Sequence, residues 1–340
     1  MEQIQAKDAT SVAYQAERYG ERYKVIRCLA VAGQGYALLV EDSWCKGKAV
    51  LKGLWFKRGE LNSGLWESGL DLNKARQQEG LKAVYQAMQL TQQAPAVIDV
   101  IADPSPTLIE EGIEPVADEY FVVMEFVGVE GRPVLTLLDE IKERKREGRP
   151  FTEDELIDLA EQLCGALGAL HTRRKASGAM GKKEEYWIHA DLKPENVLVL
   201  GPPAQYVLID YDAAVVDGEP ISTTTDAYAP PAPPGARRSE ECQRATEGFD
   251  IYMLGATLAE ALTLEKLDED TKRGFYGTLR EHGLAKQKLA GHGGGPILTT
   301  LISSCLAEPK VRTRNVQSIL SDLARARDGA ALYAALMDAR

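Results

Sequence analysis

Long apolar runs are missing from this sequence. No stretch approaches the roughly 18 residues that a membrane-crossing helix needs. The start, MEQIQAKDATSVAYQAERYGERY, carries neither the basic nor the apolar region of a signal peptide. The five cysteines (Cys28, Cys45, Cys164, Cys242, Cys305) are scattered, odd in number and form no C-x-x-C pair. That spacing argues against a disulfide framework or a zinc site and for a reducing compartment. A surplus of positive charge is also absent. The net charge of −11 favours solubility and argues against a nucleic-acid or anionic-membrane partner. The expectation is a cytoplasmic protein.

What is present is the composition of an ordinary globular protein, 44% hydrophobic and 27% charged, in 340 residues. The length suits one large domain or two moderate ones. The first two dozen residues are polar and read as helical. From Tyr23 to Val127 strands dominate: YKVIRCL, YALLVED after a glycine turn, KAVLKGLWF and the apolar run EYFVVMEFV. One helical stretch, NKARQQEGLKAVYQAMQL, interrupts them, with Ala75, Leu81, Val84, Tyr85 and Met88 available for an apolar face. From Gly128 helices take over. FTEDELIDLAEQLCGALGALH opens with Thr152 and Glu155 at capping-box spacing, and its leucines recur at helical period. FDIYMLGATLAEALT is apolar nearly all round, as at the centre of a large lobe. ENVLVLGPPAQYVLIDYD reads as a hairpin around a proline turn. The fold class is therefore α+β, a small strand-rich lobe followed by a larger helical one. Residues 172–186 and 229–247, the latter with four prolines, read as loops, as does AGHGGGP; KERKREGR reads as a helix end on the solvated surface.

One stretch carries chemistry. WIHADLKPENVLVL sets a carboxylate (Asp191), an ammonium (Lys193) and an amide (Asn196) between two apolar runs. Polar groups beside buried strands are costly unless they are paired. The strand pair that follows ends in Asp210, so Asn196 and Asp210 stand at the two ends of the hairpin and their oxygens converge. Hard oxygen ligands of that kind suit Mg²⁺ together with phosphate oxygens.

These motifs resemble the protein kinase family in its Ser/Thr branch, with a bacterial flavour. HADLKPEN is similar to the catalytic loop and LIDYDAA to the metal-binding segment after it. KAVLK resembles the strand with the ATP-binding lysine, Lys52, 17 residues after Gly35 in the region of the glycine-rich loop, LAVAGQGYALLV. VVMEFVG resembles the hinge, with Met124 as gatekeeper and the backbone of Glu125 to Val127 facing adenine. TDAYAPP is similar to the end of the activation segment, FDIYMLG to the central helix with Asp250 bracing the catalytic loop, and CLAEPKVRTR to the closing motif with Arg312. The resemblance covers roughly residues 23–327. It implies a bilobal kinase fold with an N-terminal extension (1–22), an N-lobe and hinge (23–127), a C-lobe (128–327) and a helical tail (328–340).

It also implies ATP and Mg²⁺ as cofactors and a protein with a Ser or Thr acceptor as partner. Lys52, held by Glu79, and the loop glycines Gly33 and Gly35 would bind the nucleotide phosphates. Asn196 and Asp210 would hold Mg²⁺. Asp191 would orient the acceptor hydroxyl and take its proton, with Lys193 near the γ-phosphate and Thr225 bridging Lys193 to Asp191. His189 and Asp250 read as structural.

Five positions depart from the family pattern. Ala30 and Ala32 replace glycines of the loop. Ala190 replaces the arginine that commonly grips a phosphate on the activation segment, which implies activity without phosphorylation at Ser222, Thr223 or Thr224. Asp212 stands where glycine is expected. Ala232 stands where the acidic partner of Arg312 belongs, leaving Glu240 or Glu241 to substitute. Two other readings follow from the same residues: a nucleotide-binding scaffold with little catalysis, or a kinase-fold enzyme acting on a small molecule.

Overall fold

A computed structural model describes residues 1–6, 9–31, 35–128, 134–175, 184–325 and 327. The chain divides into two compact units, Met1–Tyr85 with Pro95–Val127, and Gln86–Ala94 with Gly128–Arg340.

The first unit is built on strands from its start, contrary to the helix expected there. β1 (Glu2–Ile4), β2 (Ser11–Gln15) and β3 (Arg18–Tyr19) precede β4 (Tyr23–Val31), β5 (Gly35–Asp42), β6 (Lys48–Leu54) and β7 (Phe56–Lys57). Two helices follow, α1 (Arg58–Ser63) and α2 (Trp66–Leu90), then β8 (Val97–Asp103), α3 (Pro106–Glu110) and β9 (Glu119–Glu125). β1 pairs with β2 and β2 with β7, which gives the polar N-terminal residues backbone partners a helix would not have needed. The main sheet has the order β3-β4-β5-β6-β9-β8 and its paired strands are antiparallel.

Period-2 alternation decides its buried face. Tyr36, Leu38 and Val40 of β5, Ala49 and Leu51 of β6, and Phe121 and Val123 of β9 pack with Tyr19 and Tyr23. Lys52 follows Leu51 and so belongs to the other face, in register with Ala37 and Val122. α2 is longer than the apolar pattern suggested. Val84 is buried as expected, but Ala75 and Tyr85 are exposed, and Leu70, Ala83 and Ala87 complete the covered stripe.

The second unit contains β10 (Leu135–Thr136), α4 (Leu137–Glu147), α5 (Glu153–Leu170) and the two-residue strands β11 (Arg174–Lys175), β12 (Glu184–Glu185) and β13 (Trp187–Ile188). The hairpin β14 (Val197–Leu200) and β15 (Gln205–Leu208), then β16 (Val215–Val216), lead to α6 (Glu247–Thr263), α7 (Glu269–Phe275), α8 (Leu279–Ala290) and α9 (Pro296–Leu306). A further helix starts at 316. α6 is buried continuously from Phe249 to Leu262, as its all-round apolar sequence predicts. The leucines of α5 lie fully buried along one side.

The capping box at its start forms: the Thr152 hydroxyl accepts from the Glu155 N–H, and the Glu155 carboxylate accepts from the Thr152 N–H at 2.7 Å. Arg144 holds the same carboxylate at 2.7 and 3.0 Å, which lowers the Glu155 carboxyl to about 2. Arg144 thereby corrects the reading of KERKREGR as wholly solvated: its guanidinium is buried against the Phe151 ring. GAMGKK and the tail 328–340 lie outside the described residues.

One buried acid marks the first unit. Glu119 begins β9 with 5% of its surface exposed, and burial pushes its carboxyl up to about 7 against hydrogen bonds from Ser105 and the Leu54 N–H. The unfolded chain gives up this proton near 4.5, the folded chain only near 7. The folded state therefore binds the extra proton in between, and the contribution of Glu119 to stability is fully present below 4.5 and is lost as pH rises through 7, by about 3 kcal/mol in all. Glu119→Gln should flatten this dependence and make the protein more stable than wild type at pH 8. Thermal unfolding at pH 5 and 8 tests it; an unchanged pH dependence would remove Glu119 as its source.

Candidate active site

The stretch WIHADLKPEN leaves β13 at Ile188 and enters β14 through a single 3₁₀ turn, Pro194–Asn196. Pro194 at the first position of that turn suits its fixed φ. Between strand and turn, Ala190 adopts φ +62°, a left-handed conformation unfavourable for any residue with a Cβ. Asp250, in the first turn of α6, holds it there. Its fully buried carboxylate accepts the His189 N–H at 2.8 Å and the Ala190 N–H at 2.9 Å. A third bond comes from His171 Nε2 at 2.9 Å. His171, at the end of α5, was not singled out from the sequence; a lone histidine after an apolar helix gives no signal until its partner is known.

His189 is buried and structural, as read. Its Nδ1 lies 3.3 Å from the Asp191 N–H, which can only donate, so the ring proton sits on Nε2 and faces the Ile209 carbonyl at 3.3 Å. Burial lowers the His189 pKa and agrees with this neutral ring.

Asp191, Lys193, Asn196 and Thr225 come together. Lys193 Nζ donates to Asp191 Oδ2 at 2.6 Å and to Thr225 Oγ1 at 2.8 Å. The Thr225 hydroxyl passes its own proton toward Asp191 Oδ1 at 2.7 Å, closing a ring. Asn196 Nδ2 donates to the Asp191 carbonyl at 2.8 Å and to Oδ2 at 3.1 Å. An ionised carboxylate offers about four acceptor sites. Three are taken, two on Oδ2 and one on Oδ1, which leaves Oδ1 able to accept one more proton donor. Such a group can orient a hydroxyl and receive its proton.

The hairpin brings Asn196 beside Ile209, the residue before Asp210. The Ile209 N–H donates to the Asn196 carbonyl at 2.8 Å, one step beyond the Val197–Leu208 pair. Asp210 itself takes φ +66°, ψ +67°, a left-handed conformation just after the end of β15. Since the Asn196 amide nitrogen is committed to Asp191, its Oδ1 is the atom free in type for a cation. An amide oxygen and a carboxylate are hard donors of the type that Mg²⁺ takes.

The remaining predicted residues lie in the first unit. Gly35 opens β5, where any Cβ would collide with the Gly53 carbonyl, so sheet packing alone requires glycine there. Gly33 lies outside the described residues. Lys52 is half-buried on β6; Glu79, on α2, accepts from Lys82 Nζ at 2.5 Å. Met124 is buried in β9, and Glu125 at its end exchanges backbone and side-chain bonds with Ala96; Val127 follows, half-buried.

No protein-family model matches this sequence. Individual proteins do. PknD, a serine/threonine-protein kinase of Mycobacterium tuberculosis, is 30% identical over 172 residues, 48% of this chain and 22% of that protein. Serine/threonine-protein kinase A of Synechocystis is 27% identical over 207 residues, 59% of this chain and 37% of that protein. In structure, the kinase domain of Mycobacterium tuberculosis PknI superposes with a TM-score of 0.56 at 15% identity, covering 92% of this chain and 99% of that one. The chain has the protein kinase fold and resembles the bacterial Ser/Thr kinases. It spans well under half the length of the curated relatives it matches.

Seen as a kinase, the chain answers one open position. The acid that meets Arg312 is Glu241, at 2.6 and 3.1 Å, displayed by the 3₁₀ turn Glu240–Gln243 in the proline-rich loop. Arg312 also donates to the Gly248 carbonyl at 2.7 Å, and its guanidinium lies over the Tyr252 ring. The arginine side chain is 2% exposed. Removing one partner of a buried pair strands the other charge, at a cost of about 3 kcal/mol or more. Glu241→Gln should destabilise the protein by that order, and Glu241→Gln with Arg312→Met should recover most of it. Chemical denaturation of the three proteins checks this; a loss below about 0.5 kcal/mol in the single variant would reduce the pair to the rank of a surface bridge.

Proposed function

We propose that the protein transfers the γ-phosphoryl group of ATP to Ser or Thr hydroxyls of a protein. The observation that carries this reading is the closed ring of Asp191, Lys193 and Thr225, with one acceptor site of Asp191 left over. In this reading Asp191 orients the acceptor hydroxyl through Oδ1 and takes its proton as the oxygen attacks. Lys193 neutralises charge developing on the transferred group. Thr225 accepts from the Lys193 ammonium and donates to Asp191 Oδ1, fixing the orientation of the ion pair. Asn196 and Asp210 would hold Mg²⁺, which would supply charge neutralisation on the phosphate oxygens. Lys52, with Glu79, and the glycines Gly33 and Gly35 take the nucleotide phosphates, and the backbone from Glu125 to Val127 takes adenine. With Ala190 in place of the phosphate-gripping arginine, transfer needs no phosphate on Ser222, Thr223 or Thr224.

The test is incubation of the purified protein with labelled ATP, Mg²⁺ and a basic protein acceptor, beside Asp191→Asn. Label on Ser or Thr should fall at least 100-fold in the variant, about 2.7 kcal/mol of barrier. ATP binding without transfer by the wild type would turn the reading to a nucleotide-binding scaffold or a small-molecule acceptor. Replacing Ser222, Thr223 and Thr224 together by alanine should leave the rate within about twofold; its loss would restore a need for phosphorylation.

A further inference from the structure

Thr225 reaches Asp191 only if residues 218–226 lie where they do, and no side chain at position 190 is available to hold them. Two basic residues outside every motif touch the backbone on either side of Thr225. Arg238 Nη1 donates to the Ile221 carbonyl at 3.3 Å and to the Ser222 carbonyl at 3.1 Å. Lys272, in α7, is a buried lysine with its side chain 1% exposed. Its Nζ lies 3.4 Å from the Asp226 carbonyl and 2.9 Å from Glu269 Oε1. Enclosing an ammonium is costly unless its protons are used. Glu269 alone explains neither the burial nor the direction, since its own side chain is 59% exposed.

The backbone adds a third contact line to the same segment. Gly218 N–H donates to the Ala245 carbonyl, Ala245 N–H to Glu219, and Ile221 N–H to Cys242, each at 2.8 Å. That ladder stops at Ile221. Beyond it, Arg238 holds the carbonyls of Ile221 and Ser222, Thr224 Oγ1 meets Met253 Sδ at 3.9 Å, the Tyr228 and Ala229 N–H groups donate to the Thr225 carbonyl, and Lys272 reaches the carbonyl of Asp226.

We propose that Arg238 and Lys272 are positioning residues that hold Thr225 against Asp191 and Lys193, so that the ring forms on an unphosphorylated segment. The proposal rests on the kinase reading for its effect on rate, but its structural half stands apart from it. Neither residue touches the reacting groups. Arg238 acts through the carbonyls of Ile221 and Ser222, Lys272 through that of Asp226.

The experiment compares wild type, Arg238→Ala, Arg238→Lys and Lys272→Met by two readouts. Hydrogen exchange in the nucleotide-free protein follows the Tyr228 and Ala229 amides, which both donate to the Thr225 carbonyl. Steady-state kinetics follows phosphate transfer to a protein acceptor. Arg238→Ala and Lys272→Met should each speed exchange at these amides about tenfold or more and lower kcat by about tenfold, with KM for ATP unchanged. Arg238→Lys should restore most of both. Exchange and kcat within twofold of wild type in Arg238→Ala would overturn the proposal, as would a lower Tm with kcat per folded molecule unchanged. Should Lys272→Met not fold, the exposed Arg238 decides. Should the wild type transfer no phosphate, the exchange data still decide the positioning, and only the kinase reading falls.

Discussion

The carboxylate of Asp250 is the group on which the catalytic loop depends. It lies fully buried in the first turn of α6, a helix whose other buried positions are apolar save Tyr252, Thr257 and Glu260. Its desolvation would cost several kcal/mol if unpaired. Two backbone N–H groups and one imidazole meet it, each a charge-assisted bond of about 1.5–3 kcal/mol, and the positive end of the helix macrodipole adds to them. The same three bonds over-determine the backbone at His189 and Ala190. A left-handed alanine persists there because releasing it would orphan a buried charge. Asp191 follows directly, so its direction is inherited from α6 rather than chosen by the loop.

From that anchor the order spreads by hydrogen bonds whose donors have no alternative. The Asp191 N–H fixes the tautomer of His189, and the ring's other nitrogen reaches Ile209, the residue before Asp210. One neutral imidazole therefore ties the loop carrying Asp191 to the strand end carrying Asp210. A charged imidazole would have two donors and none to spare as an acceptor, so the link works only with the lowered pKa that burial gives. The chemistry of the site and the packing of the helical unit are thus the same set of contacts.

Residues whose chemistry demands them at fixed spacing were legible in the sequence. Asp191, Lys193, Asn196 and Thr225 meet as their order suggested, and the hairpin that carries Asp210 was plain from two apolar runs around prolines. The N-terminal strands were not legible. EQI and SVAYQ are short, and a polar composition does not distinguish a small antiparallel ladder from a solvated helix without knowing that β7 lies ready to pair. The register of α2 was misjudged at Ala75 and Tyr85 because an aromatic residue counts as apolar in a pattern yet tolerates exposure. Arg238 and Lys272 were invisible for another reason. Their partners are carbonyls, which every residue has, so nothing in the sequence marks the pairing.

The departures at Ala190 and Ala232 acquire a common physical setting in the loop 229–247. Each lacks a charged side chain that a kinase of the usual pattern would carry, and each position is served from that loop: Glu241 meets Arg312, and Arg238 meets the carbonyls ahead of Thr225. A flexible loop would pay the ordering entropy of its backbone for such contacts, about 1–2 kcal/mol per residue. Four prolines reduce that cost by restricting the unfolded chain beforehand. The 3₁₀ turn capped by the Ser239 hydroxyl then fixes which of two adjacent acids faces inward. Only Glu241 faces the arginine, and the choice between neighbours rests on one turn of backbone. Proline content that excluded regular structure in the sequence is, in the fold, what makes a loop stiff enough to do the work of a missing side chain.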